Sequence, residues 1–430
     1  MCVRGVSTLY PVVQCALNSR PRRALQKART WGLAAVLVTL MFVTLPSRSP
    51  YPSIRVFDGV TEVATDPSSV SGIQRRRCSP HHNLMFLKTH KAASSTTQRI
   101  FLRYAKSHGL TLLLPGKGNY LGSPLPFRAA MVPTSLRYPD GTYNMMLVHT
   151  RLGVDDLTKV MKKDAVWVTI VREPLALWQS LWSYYRMEKF YKMTLEQFAE
   201  MPYTDVVRWR RAKRFGIHQM FFDMGYGSFE DSHPREIAQA LKRLDKVFDL
   251  VMITERYDES LVLLKELMCW TTDDVAYLSI NQGKEGLKEN ISRETSEKLR
   301  QLSQPDIELY NFFYNIFDRK VSEFGRAKME REVQDLREAN ERLRRVCTVE
   351  KTSPNRAQKN MNWLPVVRQV AVRKDDQTCV DLVRTEMSFL DELRERQKAW
   401  VKGKWQRNIS DVIVAKDTQT DTYNKTKGVQ

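Results

Sequence analysis

Four short, unbroken apolar runs punctuate the chain: Leu84 to Leu87 directly after Asn83, Asn144–His149, Ala165–Val171 and Phe248–Thr254. None alternates with polar residues, and each is rich in β-branched or large apolar side chains. That is the pattern of strands buried on both faces. Between and after them, apolar positions recur at helical spacing over Ser95–His108, Asp155–Met161, Leu175–Phe190 and Tyr257–Met268. The alternation predicts an α/β domain, a parallel sheet flanked by helices. From Glu323 to Val346 the pattern becomes one long charged helix with Met329, Val333, Leu336 and Leu343 on a common stripe. Packing against the domain is the expected use of that stripe, and a short coiled-coil seam in a homodimer is the alternative. Beyond Thr348 the sequence is polar and irregular. It forms a C-terminal extension, 348–430, with one further helical pattern at Phe389–Trp405 and an end from Asp417 of disordered composition.

The N-terminus sets the compartment. Arg20, Arg22, Arg23, Lys27 and Arg29 close a basic tail, 1–30, ahead of an uncharged apolar segment, 31–45. Positive residues on that side keep it cytoplasmic. The segment is short beside the about 17–25 residues of a usual span, which suits the thinner bilayers early in the secretory pathway. No small-residue cleavage site follows. A signal anchor in a type II membrane protein is expected, with a cleaved signal as the rival. Residues 46–82 read as a stem and 83–347 as the lumenal domain. Asn290, Asn408 and Asn424 head N-glycosylation sequons consistent with that side. Cys78, Cys269, Cys347 and Cys379 form an even lumenal set, so two disulfides are expected with the connectivity open. The formal charge of +20 favours anionic partners. No zinc-finger, repeat or RNA-binding pattern accompanies it, so nucleic acid is not expected. No Cys/His cluster has metal-ligand spacing, so no metal is expected either.

Candidate chemistry gathers where predicted strands end. After Leu87 comes Lys88-Thr-His-Lys91-Ala-Ala-Ser94-Ser95-Thr96, leading into a helix. A strand, a small-residue turn and a helix N-terminus direct backbone N–H groups and a lysine at one spot, which suits a phosphate-like anion. The P-loop of nucleotide kinases is built similarly, but its glycines and Gly-Lys-Ser/Thr ending are missing here. A helix cap without a ligand is the plainer reading of the turn. The strand ending at Val171 runs into Arg172-Glu173-Pro174, with Ser180 two helical turns further on. Arginine at such a place offers a planar fork to an anion, although pairing with a carboxylate is an equal alternative. The strand ending at His149 is followed by Arg151. Histidine is the side chain best matched to taking a hydroxyl proton near neutral pH. All three elements lie at strand C-terminal ends, where sheets of this kind bind ligands.

These stretches resemble the galactose 3-O-sulfotransferases. The likeness covers the loop from Phe86 to Thr96, the element Val171 to Ser180, Phe221-Phe-Asp-Met-Gly-Tyr226, Asp258 to Trp270, and the helix Glu323 to Arg344. It spans about Asn83 to Cys347. It implies a P-loop-like sulfotransferase fold with 3′-phosphoadenosine 5′-phosphosulfate as donor. It further implies that Lys91, Ser94, Ser95 and Thr96 hold the 5′-phosphosulfate and that Arg172 and Ser180 hold the 3′-phosphate. Lys91 and His149 would be catalytic, and Arg151 would contact the acceptor. The acceptor implied is the 3-hydroxyl of a terminal galactose, foremost on galactosylceramide or a related glycolipid. A glycoprotein or uronic-acid-containing glycan, or an inactive glycan-binding relative, are the alternatives. The sequence departs from the family pattern at Ala92, where threonine is usual, at Glu173 in place of aspartate, and in His149-Thr-Arg151-Leu152 for His-Met-Arg-Phe.

Overall fold

The expected strands assemble into one sheet with a fifth that has no readable pattern. The computed structural model describes residues 78–211, 215–227, 234–278, 291–349 and 371–403. The tail, the anchor segment 31–45, nearly all of the stem and the sequons at Asn290, Asn408 and Asn424 lie outside the described residues. Among the described residues no helix is long and apolar enough to cross a membrane. The strands are β1 (Leu84–Leu87), β2 (Leu112–Leu113), β3 (Met145–Met146), β4 (Val166–Val171) and β5 (Leu250–Ile253), in the order β2-β3-β1-β4-β5. All pairings are parallel, with Leu84 facing Met145 on one side and Val166 on the other. All four β1 residues are fully buried. Each such large side chain contributes roughly 1.5–3 kcal/mol of transfer free energy, which is why the run is continuously apolar.

The connection leaving β1 goes to one side of the sheet and the connection leaving β4 to the other. The crevice beyond the C-terminal ends of β1 and β4 is therefore the topological switch point. Both predicted anion turns leave the sheet there.

Two predicted helices are divided. The Leu175–Phe190 pattern is a helix over Pro174–Tyr185 and a second over Met187–Tyr191, separated by Arg186 at φ 51°. The long charged pattern starts later than Glu323. A helix over Gln304–Phe324 ends at Gly325, whose φ of 92° favours glycine, and a second runs Arg326–Cys347. Met329, Val333, Leu336 and Ala339 of that second helix are buried. They pack on the helices Tyr257–Met268 and Thr272–Val275 of the same chain, so the stripe is used inside the molecule.

Two disulfides form, Cys78–Cys269 and Cys347–Cys379. The second anchors the chain leading to the helix over 386–403, the described part of the helix expected at Phe389–Trp405. Phe389 and Leu390 of this helix are fully buried. Arg394 donates to the carbonyls of Pro115 and Gly118, at 2.8 and 2.6 Å. Gln397 accepts from Leu112 N–H at 3.2 Å and donates to Leu112 C=O at 3.0 Å.

Candidate active site

The turn after β1 has the backbone form of an anion-binding nest. Lys91 and Ala93 have φ of 56° and 57°, and such left-handed steps turn successive N–H groups toward one concavity. No acceptor among the described residues takes the N–H groups of Lys91 to Ser95. Ala93 caps the helix Ser94–Ser107 without a side-chain bond, and its first turn holds no acidic residue. The positive end of the helix dipole is thus left for a ligand.

Side chains complete the cradle unequally. Ser94 Oγ donates to the Thr89 carbonyl and braces the loop. Ser95 Oγ accepts from Lys88 Nζ at 3.2 Å. Thr96 is half-buried on the same turn. Lys91 Nζ lies 3.5 Å from the centre of the Tyr184 ring, a cation–π contact. Burial, then the nearby Arg172 and Lys88, push the Lys91 amine down to about 8. Arg172 donates from Nη1 to the Lys91 carbonyl at 2.9 Å. Its buried Nε has no acceptor among the described residues. A buried guanidinium donor without a partner is costly, and an anionic ligand removes that cost. Ser180 is half-buried on the helix Pro174–Tyr185 and makes no hydrogen bond to Arg172.

His149 follows β3 and is 7% exposed. Its Nδ1 lies 2.9 Å from the Lys88 carbonyl, which only accepts, so Nδ1 carries the proton. Nε2 then bears the lone pair, and Lys88 Nζ donates to it at 2.8 Å. The ring stacks with His90 and Tyr120 at centroid distances of 4.4 and 4.8 Å.

Four residues at this site, Lys88, His90, Asp223 and Glu386, were not singled out in the sequence. Lys88 is 1% exposed yet sits among His149, Ser95 and Glu386. His90 meets the Asp223 carboxylate through Nδ1 at 2.9 Å and Tyr120 OH through Nε2 at 3.0 Å. Its backbone N–H also donates to Asp223, at 2.8 Å. Glu386 arrives from the C-terminal helix. Lys88 and His90 lay inside the predicted loop, flanking Thr89. Asp223 lay inside the Phe221–Tyr226 stretch noted for its resemblance. Nothing local distinguished Glu386.

Arg151, expected to contact the acceptor, lies beside the site with its guanidinium among backbone carbonyls. Its guanidinium donates to the carbonyls of Phe222, Pro124, Gly225 and Tyr226, at 2.9, 2.8, 3.1 and 2.8 Å. It also lies 4.0 Å from the Phe222 ring centre. These bonds tie together two loops beside the site.

Comparison with known proteins points one way. A family model described as galactose-3-O-sulfotransferase matches residues 17–370. Bovine galactosylceramide sulfotransferase is 33% identical over 288 residues, 65% of this chain and 67% of that protein. The human galactosylceramide sulfotransferase is 32% identical, with 65% of its length covered. Mouse galactose-3-O-sulfotransferase 3 is 32% identical over 345 residues, 74% of this chain and 78% of that protein. The chain thus spans about two thirds of the length of the galactosylceramide enzymes.

Proposed function

The chain belongs to the galactose-3-O-sulfotransferase family, and from that premise we propose that it transfers a sulfuryl group from 3′-phosphoadenosine 5′-phosphosulfate to the 3-hydroxyl of a terminal galactose. The observation that carries the reading is the convergence at the switch point. A nest of N–H groups and the Nε of Arg172, both without partners among the described residues, share one crevice with Lys91 and a histidine of defined tautomer. The residues present fit this donor, which brings a 5′-phosphosulfate and a 3′-phosphate to two cationic elements.

In this reading the N–H groups of the turn, with Ser95 and Thr96, hold the phosphosulfate, and Ser94 keeps the turn in shape. Arg172 binds the 3′-phosphate, with Ser180 beside it. Lys91 donates to the oxygen that bridges phosphorus and sulfur and stabilises the charge that develops there. Transfer requires in-line approach of the galactose oxygen and neutralisation of the leaving group. His149 Nε2 takes the hydroxyl proton once Lys88 turns from it to the incoming anion. Galactosylceramide or a related glycolipid is the acceptor we assign, in the Golgi lumen behind a type II anchor.

The test incubates the purified protein with radiolabelled donor and galactosylceramide, lactosylceramide, galactose-ended oligosaccharides and uronic-acid polymers. Transfer confined to uronic-acid polymers would sink the galactose assignment. Donor binding without transfer to any acceptor would make the protein a glycan-binding relative. Protection of a C-terminal tag from protease in intact microsomes, with a glycosidase-sensitive mass, tests the topology.

A further inference from the structure

Glu386 opens the helix over 386–403, beyond residue 370 where the family match ends. Its carboxylate nevertheless reaches into the anion loop. Oε2 lies 3.2 Å from Lys88 Nζ and accepts from Ser95 Oγ at 3.4 Å. Oε1 accepts from Asn119 Nδ2 at 2.7 Å. An ammonium has three donors and no acceptor. Those of Lys88 meet His149 Nε2, Ser95 Oγ and Glu386 Oε2. Because His149 carries its proton on Nδ1, the contact at Nε2 needs a donor, which Lys88 supplies. The helix that delivers Glu386 is fastened to the domain through Arg394, Gln397 and buried Phe389. Its approach is held by the Cys347–Cys379 disulfide and by Asp381, whose carboxylate lies 2.7 Å from Lys106. The carboxylate is therefore a built-in part of the site.

We propose that Glu386 is a positioning residue for the transfer reaction, the counter-ion that keeps Lys88 an ammonium held between His149 and the incoming donor. The inference rests on the sulfotransferase reading above. Burial lowers the Lys88 pKa, and Arg99 acts in the same direction. Glu386 is the main opposing influence, and Asp223 a lesser one. Lys91 adds positive charge from the same loop. A charged Lys88 exchanges His149 for a sulfonate oxygen when donor enters. That bares Nε2 and adds a donor to the group being transferred. The balance is then complete. The galactose oxygen bonds to sulfur and its proton passes to His149 Nε2. The bond from sulfur to the bridging oxygen breaks, with its electron pair leaving on the nucleotide.

The test compares Glu386→Gln and Glu386→Asp with the wild type, in full-length protein, by the pH profile of kcat at saturating donor. Glu386→Gln retains the shape and loses the charge. Its alkaline limb should move to lower pH, because burial and Arg99 then act on Lys88 without the opposing carboxylate, while the acid limb stays. Glu386→Asp should keep the alkaline limb near its original place. Independently of turnover, binding of adenosine 3′,5′-bisphosphate should take up more protons in Glu386→Gln than in the wild type, measured by calorimetry in buffers of different ionisation enthalpy. An unchanged profile in Glu386→Gln overturns the proposal. A loss equal at every pH with bisphosphate binding and proton uptake unchanged also overturns it, since that is a packing effect. If the wild type neither binds the bisphosphate nor transfers sulfate, the sulfotransferase reading fails first and takes this inference with it.

Discussion

Lys91 should take up a proton when the donor binds, and only in a narrow pH range. In the empty site its amine is pushed from 10.5 to about 8 by burial, with Arg172 and Lys88 adding to the effect. At about 1.36 kcal/mol per pH unit, keeping it charged in the empty site costs about 3 kcal/mol. Across pH 8 to 10.5 the unfolded chain binds this proton and the folded one does not. Stability from this group alone therefore rises with pH through that window, and the cost is fully present below 8. A phosphosulfate in the cradle reverses the situation by placing negative charge against the amine. At pH 8 about half of Lys91 is neutral, so binding should draw in about half a proton there and almost none at pH 6.5. Above pH 8 affinity should fall by up to about tenfold per unit. Calorimetry with adenosine 3′,5′-bisphosphate in buffers of differing ionisation enthalpy reads the uptake directly, and Lys91→Met should abolish it. Uptake that is absent at pH 8 in the wild type, or that persists in Lys91→Met, would refute the assignment of Lys91 to the anion.

His149→Gln should lower kcat by roughly 10²–10⁴-fold with bisphosphate affinity retained. Near-normal turnover would move the role of base to another group, Asp155 on the helix Val154–Val160 being the nearest sequence candidate. Arg172→Ala should weaken the donor by about tenfold or more, in KM rather than in kcat at saturation. A matching loss for a nucleotide lacking the 3′-phosphate would show that Arg172 does not read that group. Arg151→Ala should lower stability by about 2–4 kcal/mol, because it strands backbone carbonyls, with little change in acceptor KM for the fraction that stays folded. Thermal melting and acceptor titration separate that outcome from a direct acceptor contact.

The sheet was legible where burial leaves a continuous apolar run, as in Leu84–Leu87 and Val166–Val171. It was illegible at Leu112–Leu113, because two residues carry no period. Gly325 was visible as a glycine in a helical pattern, but its φ of 92° is a tertiary choice between one long helix and two. The anion turn was readable because its chemistry is local: small residues, a lysine and a helix start within a dozen positions. The Asp223–His90 pair joins residues 133 apart, and the Lys88–Glu386 pair joins residues 298 apart. No local pattern encodes such meetings. His149 and Arg151 show the same limit from the other side. Both follow one strand, yet one ring enters the site and the other side chain is taken up by backbone carbonyls.

Gln397 has a consequence outside catalysis. β2 lies at the margin of the sheet, and its outer N–H and C=O at Leu112 are met by a side-chain amide that imitates a neighbouring strand. An uncovered margin is a template on which another polypeptide can add itself. A chain shortened to residue 370 would lose this plug together with Arg394 and buried Phe389. The expected product is a protein that self-associates through β2, seen as light scattering and thioflavin binding before any assay of turnover. The helix over 386–403 would thus act as a built-in guard against strand exchange between copies of the molecule.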